Sequence, residues 1–238
     1  MVYVPKVLDR MKPVVLIPVH NESSSIPDLV AQIHRHLLDV VVIDDGSTDD
    51  TARRAADCRA IVLQNSRNIG KGASLIKGFD YALSKGYDAV LTMDGDGQHL
   101  PQDIPAFLAA ARSPHCGIII GNRMLRVANM PLVRVMTNTV MSWIISCIAR
   151  QRIPDSQCGF RLISKDVLQK IKLHTHNFEM ESEMLIEASR EGFSITSVPI
   201  QTIYKNERSH IHPVRDTIRF FTYLFERTKK IRARKKHR

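Results

Sequence analysis

Apolar and polar positions fall in alternating blocks along the first 120 or so residues. The runs PVVLIPVH (13–20) and DVVVIDDG (39–46) are short, rich in β-branched residues and closed by turn formers, which predicts buried strands. Between them, Ile26 to Leu38 carries apolar residues at helical spacing, with Ser23 to Ser25 in place to cap the start. The same alternation continues through AIVLQNS, a helix from about Gly72 to Lys85, AVLTMD, a helix from about Gln102 to Arg112, and GIIIGNR. Strand after helix in this order predicts an α/β fold. Its sheet is doubly wound and mostly parallel, has helices on both faces, and gathers ligands at the C-terminal ends of its strands. After Arg123 the alternation gives way to a long helix from about Pro131 to Arg150, a Gly-containing loop, a helix around Met180 to Arg190, and ITSVPIQTIY as a final strand. No internal repeat or low-complexity linker interrupts the chain, so residues 1–210 are expected to form one domain and residues 211–238 an appendage.

The appendage has its own pattern. In PVRDTIRFFTYLFERTKK, residues Ile218, Phe221 and Phe225, with Leu224 one position off, recur at helical spacing and form an apolar stripe. The stripe runs into RTKKIRARKKHR, which carries eight Lys or Arg and no acid; without those eight charges the formal net charge of +10 falls to +2. A basic run of this kind suits a solvated end, a nucleic-acid arm or an anchor on anionic lipid. The adjoining stripe favours a membrane surface, because nucleic acid needs no apolar face; no nucleic-acid partner is expected.

Composition limits the rest. A chain of 238 residues with 44% hydrophobic and 24% charged content can build an ample core and is not disordered. The longest apolar candidate, Thr139 to Ala149, falls short of the roughly 18 residues needed to cross a bilayer, and no secretory signal is visible at the N-terminus. Cys58, Cys116, Cys147 and Cys158 lack metal-like spacing, which favours free thiols in a reducing compartment. These features together predict a cytoplasmic protein peripherally associated with a membrane.

Candidate chemistry gathers where the strands end. The first strand leads to Glu22, the second to Asp44, Asp45 and Asp49, and the fourth to Asp94, Asp96, Gln98 and His99. Asp49 and Thr51 fit a turn or helix cap as well as a site. Asp94 and Asp96, two residues apart at the end of a buried strand, repel each other unless a cation lies between them. Hard oxygen ligands of this kind suit Mg²⁺ or Mn²⁺, with further ligands from water and substrate phosphates, and the intervening glycines would let a phosphate approach the backbone. Neither GxxxxGK[ST] nor a strand-linked GxGxxG is present, which argues against a P-loop or a dinucleotide site.

Five segments in order, PVHNE, DDGSTDDT, NIGKGAS, DGDGQH and DSQCGFRLI, resemble those of family 2 glycosyltransferases of GT-A fold. The likeness runs from about Val14 to Tyr204 and is closest to the dolichyl-phosphate mannosyltransferase and polyprenyl-phosphate glycosyltransferase subgroup. The resemblance implies transfer of a sugar from a nucleotide-diphosphate sugar to a polyprenyl phosphate, with inversion. It implies that Pro18, Glu22, Asp45 and Lys71 hold the nucleotide, and that Asp94 and Asp96, with Gln98, bind the metal and diphosphate. It also implies that Arg123, Arg134 and Asn138 grip the acceptor phosphate, and that Asp155 and Gln157 lie beside the reacting sugar.

Asp155 then serves either as a base or as a ligand for a sugar hydroxyl, and Arg161 either reaches the diphosphate or pairs with an acid. Glu179, Glu181 and Glu183 either line a sugar pocket or complement a helix dipole. Arg134 and Asn138 stand i, i+4 on one helix face, and Trp143 follows on an apolar stretch fit to bed a prenyl chain or a bilayer surface. The competing readings are a family 2 enzyme acting on a non-lipid saccharide, an inert nucleotide-sugar-binding module, and a nucleotidyltransferase sharing the metal site.

Overall fold

A computed structural model describes residues 11–112, 116–125, 127, 130–175 and 179–203. The stripe and basic run beyond residue 210, and the end of the expected last strand at Tyr204, lie outside the described residues.

The first half follows the predicted alternation. Strands β1 (Pro13–Val19), β2 (Asp39–Asp44) and β3 (Ile61–Gln64) alternate with helices α1 (Ile26–His34) and α2 (Thr51–Asp57). Helix α3 (Lys71–Ser84) then leads to β4 (Ala89–Thr92), and a 3₁₀ turn at Pro101–Asp103 opens α4 (Ile104–Ala110). Val14 to Ile17 and Val40 to Ile43 are buried throughout, which is why these strands read as continuous apolar runs rather than alternating ones. Helix α1 stops four residues short of the expected end, because the chain turns through Leu37 in the left-handed region (φ 58°). Ser25 sits at its N-cap, yet its hydroxyl makes no capping bond and lies 2.6 Å from the Gly95 carbonyl instead.

The second half holds β5 (Cys116–Asn122), α5 (Leu132–Ala149), β6 (Arg161–Ser164), α6 (Lys165–Lys170), α7 (Glu179–Arg190) and β7 (Ser194–Pro199). Here the structure corrects the expectation of a plain loop between α5 and α7: RLIS forms a strand and KDVLQK a short helix, capped by Ser164 accepting from the Val167 N–H. Strand β6 is inserted antiparallel between β4 and β5, with Leu162 opposite both Leu91 and Ile119. The sheet order is β3-β2-β1-β4-β6-β5-β7, parallel except for β6.

This order locates the site. The chain winds from β1 to β2 and β3 on one side and then crosses to β4 on the other, so right-handed crossovers put α1 and α2 on the opposite face from α3. The reversal opens a crevice at the C-terminal ends of β1 and β4, the position where open α/β sheets bind ligands. Because β6 runs the other way, its N-terminal end and the loop before it arrive at the same edge. Phe107 of α4 and Phe160 of that loop, both fully buried with ring centroids 4.3 Å apart, tie the two halves together. Such a pair contributes about 0.5–1.5 kcal/mol beyond its burial.

Candidate active site

Polar groups hold the edge of the crevice in place. The Asp45 N–H donates to the Val19 carbonyl, joining the ends of β1 and β2. The Asp45 carboxylate, almost fully buried, accepts from Asn65 Nδ2, Ile69 N and Gly70 N, and so fixes the NIGKG loop that delivers Lys71. Behind it Asn65 also donates to Ser74 Oγ, and Lys77 donates to Asn65 Oδ1. Sequence reasoning passed over this support. Its signal was a polar residue one position past a strand, facing polar residues three apart on the next helix.

Asp49 is a clamp: it accepts from Thr51 and from the Ser23 N–H. Burial opposes its ionisation, but the bonds from Thr51 and Ser23 together outweigh it and hold the carboxyl at about 2. Glu22 receives the Ser25 hydroxyl at Oε2 (3.0 Å), and Pro18 is half-buried within β1. A cleft of about 480 Å³ opens over the ends of β2 and β3, walled by Gly46, Ser47, Thr48, Gln64, Asn65 and Ser66. Its walls do not include the Asp94–Asp96 pair.

Around Asp94 the structure brings together elements far apart in sequence. Lys71 Nζ lies 2.5 Å from Asp94 Oδ1 and 2.8 Å from Glu181 Oε1. Glu181 Oε2 is 3.5 Å from Arg161 Nη2. Arg161, buried in β6, donates to the carbonyls of Cys158, Ser156 and Glu181, so it pairs with an acid and shapes the DSQCGF loop. Gly159 of that loop lies directly against the ion pair: a Cβ there would come within 2.8 Å of Asp94 Oδ2 and 3.1 Å of Lys71 Nζ. Gly95 is also small because of its packing. A Cβ would meet Val19 Cγ1 at 2.5 Å, so the close approach it allows is to β1.

The two carboxyls of DGDG titrate in opposite directions. Burial opposes ionisation of Asp94, but the Lys71 ammonium overrides it and holds the group at about 2. Burial and then the neighbouring Asp94 charge push Asp96 up. Asp96 accepts the Gln98 N–H at Oδ1. His99 is buried, its pKa is lowered chiefly by that burial, and its Nδ1 accepts the Asp94 N–H at 3.3 Å; it is a neutral anchor for the turn.

Asp96 is thus the carboxyl that gains most from a cation. Among the described residues no group of three His, Cys, Asp or Glu side chains could hold a metal unaided. The donor set fits an ion such as Mg²⁺ or Mn²⁺ that takes its remaining ligands from water and phosphate.

Asp155 is fully buried and receives three bonds from Arg123: from its backbone N–H (3.1 Å), Nε (2.7 Å) and Nη2 (2.8 Å). The fork is bidentate, which fixes the guanidinium at the exit of β5. Gln157 donates to Ser156 Oγ. Glu183, fully buried, accepts from the backbone N–H groups of His174 and Thr175 and from the Thr175 hydroxyl, so it anchors a loop. Glu179 Oε2 is buried without a hydrogen-bond partner. All four cysteines are free, and burial pushes the Cys158 thiol up to about 12.

Helix α5 carries Arg134 and Asn138 in its first two turns, both partly buried, with Asn138 against Met130 Sδ. Leu132, Val133, Met136, Val140 and Trp143 are exposed on it, Trp143 by 67%. Met141, Ser142, Ile145 and Ala149 are buried, and the helix packs on α7. The sequence showed no apolar run of spanning length, because Arg134 and the Thr-Asn-Thr stretch divide it. The 18-residue helix as a whole, with mean hydropathy 1.5, is long and apolar enough by length and composition to cross a membrane.

Residues 14–172 match the family described as Glycosyl transferase family 2. The chain belongs to that family. This family 2 glycosyltransferase is 30% identical, over 79% of its length and 84% of the relative's, to a UDP-N-acetylglucosamine–dolichyl-phosphate N-acetylglucosaminyltransferase of Methanococcus voltae. It is 30% identical to an undecaprenyl-phosphate mannosyltransferase of Micrococcus luteus, covering 80% and 83% of the two chains. Among solved structures it resembles glucosyl-3-phosphoglycerate synthase of Mycobacterium tuberculosis in complex with Mn²⁺, UDP-glucose and phosphoglyceric acid. That likeness has a TM-score of 0.70 at 18% identity, over 86% of this chain and 76% of the other, and places the transferase in the same fold.

Proposed function

We propose that this transferase moves a sugar from a nucleotide-diphosphate sugar to a polyprenyl phosphate, in one inverting displacement at the anomeric carbon. The observation that carries the reading is α5, where Arg134 and Asn138 stand beside an exposed apolar face made by Val133, Met136, Val140 and Trp143. A phosphate headgroup gripped by cations with a prenyl chain along the helix matches that arrangement, and two relatives are named for prenyl-phosphate acceptors.

Pro18, Glu22, Asp45 and Lys71 surround the donor's nucleotide side. Asp96, with Asp94 and Gln98, would hold a divalent cation, Mg²⁺ or Mn²⁺, which would supply positive charge to the departing diphosphate. The attacking oxygen belongs to a phosphate anion, which needs little help from a base. Arg123 and Arg134 orient it by charge-assisted contacts and, remaining protonated donors, take no proton from it. A sugar-hydroxyl acceptor would need a base, and Asp155 has both oxygens committed to Arg123.

The test is incubation of the purified protein with a panel of UDP- and GDP-sugars, Mg²⁺ or Mn²⁺, and polyprenyl phosphate, with products identified by mass. Lipid-linked sugar from the phosphate, and none from the free prenol, is the expected result; transfer to soluble saccharides alone would overturn it. Arg134→Ala should raise the acceptor KM about ten- to hundredfold, the loss of a charged hydrogen bond of about 1.5–3 kcal/mol, with the donor KM nearly unchanged. A matched rise in donor KM would move Arg134 to the diphosphate.

The catalytic domain comprises residues 1–210, and residues 211–238 add a stripe and basic run that hold it on the cytoplasmic face of an anionic membrane. Helix α5 lies along the surface rather than through it, since one side is packed on α7. At about 1 kcal/mol per basic residue before screening, the run is a sufficient anchor. Deleting Arg227 to Arg238 should release the protein from anionic vesicles, as should salt in part, and undiminished binding would shift the contact to α5.

A further inference from the structure

The cations of the crevice are already assigned to particular anions. Arg123 serves Asp155, Arg161 serves the loop carbonyls and Glu181, and Lys71 bridges Asp94 and Glu181. Lys71 enters from the first turn of α3, its loop clamped by Asp45, and the backbone at Gly159 closes over the ammonium and Asp94 together. Its side chain is only 20% exposed, and Glu181, on α7, is 14% exposed. Asp94 therefore presents little net charge to anything arriving in the crevice, whereas the charge of Asp96 has no such neighbour among these pairings.

We propose that Lys71 is a built-in counter-cation to Asp94, with Glu181 competing with Asp94 for its ammonium. Only Asp96 then offers a full negative charge to the divalent cation, so capture of that cation depends on the diphosphate that comes with the donor. The inference rests on the metal-dependent donor site proposed above and adds an order: metal and nucleotide bind together rather than metal first. Two carboxylates left bare would attract the ion alone; one carboxylate plus a diphosphate attracts it only as a complex. Glu181 tunes the balance, since each share of the ammonium it draws is withdrawn from Asp94.

Binding of Mn²⁺ to the full chain, followed by the free-ion paramagnetic resonance signal, tests this without turnover. The wild type should bind Mn²⁺ weakly alone and at least about tenfold more tightly with UDP or GDP present. Lys71→Met should raise nucleotide-free affinity about tenfold and shrink the nucleotide enhancement, because an opposite charge in contact with Asp94 is gone. Glu181→Gln should lower nucleotide-free affinity, by about threefold, since it acts on Asp94 through Lys71. Lys85→Met, at the far end of α3, should leave both values unchanged.

Opposite signs for the two crevice variants are what a purely structural role would not produce, since loss of packing lowers both. Unchanged or weaker nucleotide-free binding in Lys71→Met, with wild-type binding normal, overturns the proposal. If that variant does not fold, unchanged or tighter binding in Glu181→Gln does so. A wild type that binds no Mn²⁺ with either nucleotide overturns the metal-dependent donor reading itself, and this inference with it.

Discussion

Asp96→Asn should cut sugar transfer by about 10²–10³-fold or more, the scale of losing one preorganised charge at a reacting diphosphate, while the protein melts at the wild-type temperature or above. The activity loss follows from this carboxylate having no ion pair with a Lys or Arg among the described residues, unlike Asp94. The thermal result follows from the same fact. Asp96 accepts one local bond, from the Gln98 N–H, which an asparagine oxygen can also accept.

Its carboxyl is pushed up, by burial first and by Asp94 second. A carboxyl raised in the folded state costs stability once pH exceeds the unfolded value, near 3.9 for an ordinary Asp, and the cost is complete above the folded value. Asparagine removes it, so any gain in melting temperature at pH 7 should vanish as pH drops below about 4. Thermal melts at both pH values, beside a transfer assay, check this. A variant that melts well below the wild type would make Asp96 a structural residue and sever it from the metal.

The second large effect belongs to Asp155. Replacing it with alanine strips a partly buried guanidinium of its only bidentate partner among the described residues, and breaking a buried pair in this way costs about 3–5 kcal/mol. Asp155→Asn keeps the volume and one acceptor oxygen, and separates two roles. A lost general base would remove the acidic limb of the rate–pH profile and lower kcat by about 10²–10⁴ at any acceptor concentration. A residue that aims Arg123 would leave the profile's shape intact and raise the acceptor KM. The second outcome is expected, because the Arg123 backbone N–H, Nε and Nη2 each bond to this one carboxylate. Disappearance of the acidic limb would restore Asp155 as the base.

The alternation of β-branched runs with helical stretches made the first half of the fold legible, because fully buried parallel strands such as Val40–Ile43 have a composition that little else shares. Strand β6 escaped for physical reasons. Four residues hold too little period to recognise, and Arg161 stands at a buried position where a charge normally argues against a strand. Its charge is tolerated because three carbonyls and Glu181 surround the guanidinium, contacts that come from 3, 5 and 20 residues away.

The site was legible as a set of acids at strand ends, since burial of a strand leaves its last residues as the place to put polarity. What could not be read was which acid pairs with which base. Lys71 and Glu181 are 110 positions apart, and only the sheet order brings them together. Glu183, in the same acidic stretch as Glu181, faces a loop instead, and helical phase alone does not reveal what each face meets.

The inserted antiparallel strand bears on how such an enzyme could be recombined. The groups proposed for the donor occur before Leu100 and those proposed for the acceptor after Gly121, so a crossover between α4 and β5 would exchange one specificity while keeping the other. A graft made there inherits a strict condition, however. Strand β6 slots between β4 and β5, carrying Gly159 onto Asp94, and α7 carries Glu181 onto Lys71, so the incoming half must supply both a residue without a side chain and a carboxylate at those places. Chimeras that respect these two positions should keep donor use from one parent, and those that break either should lose it however well they fold.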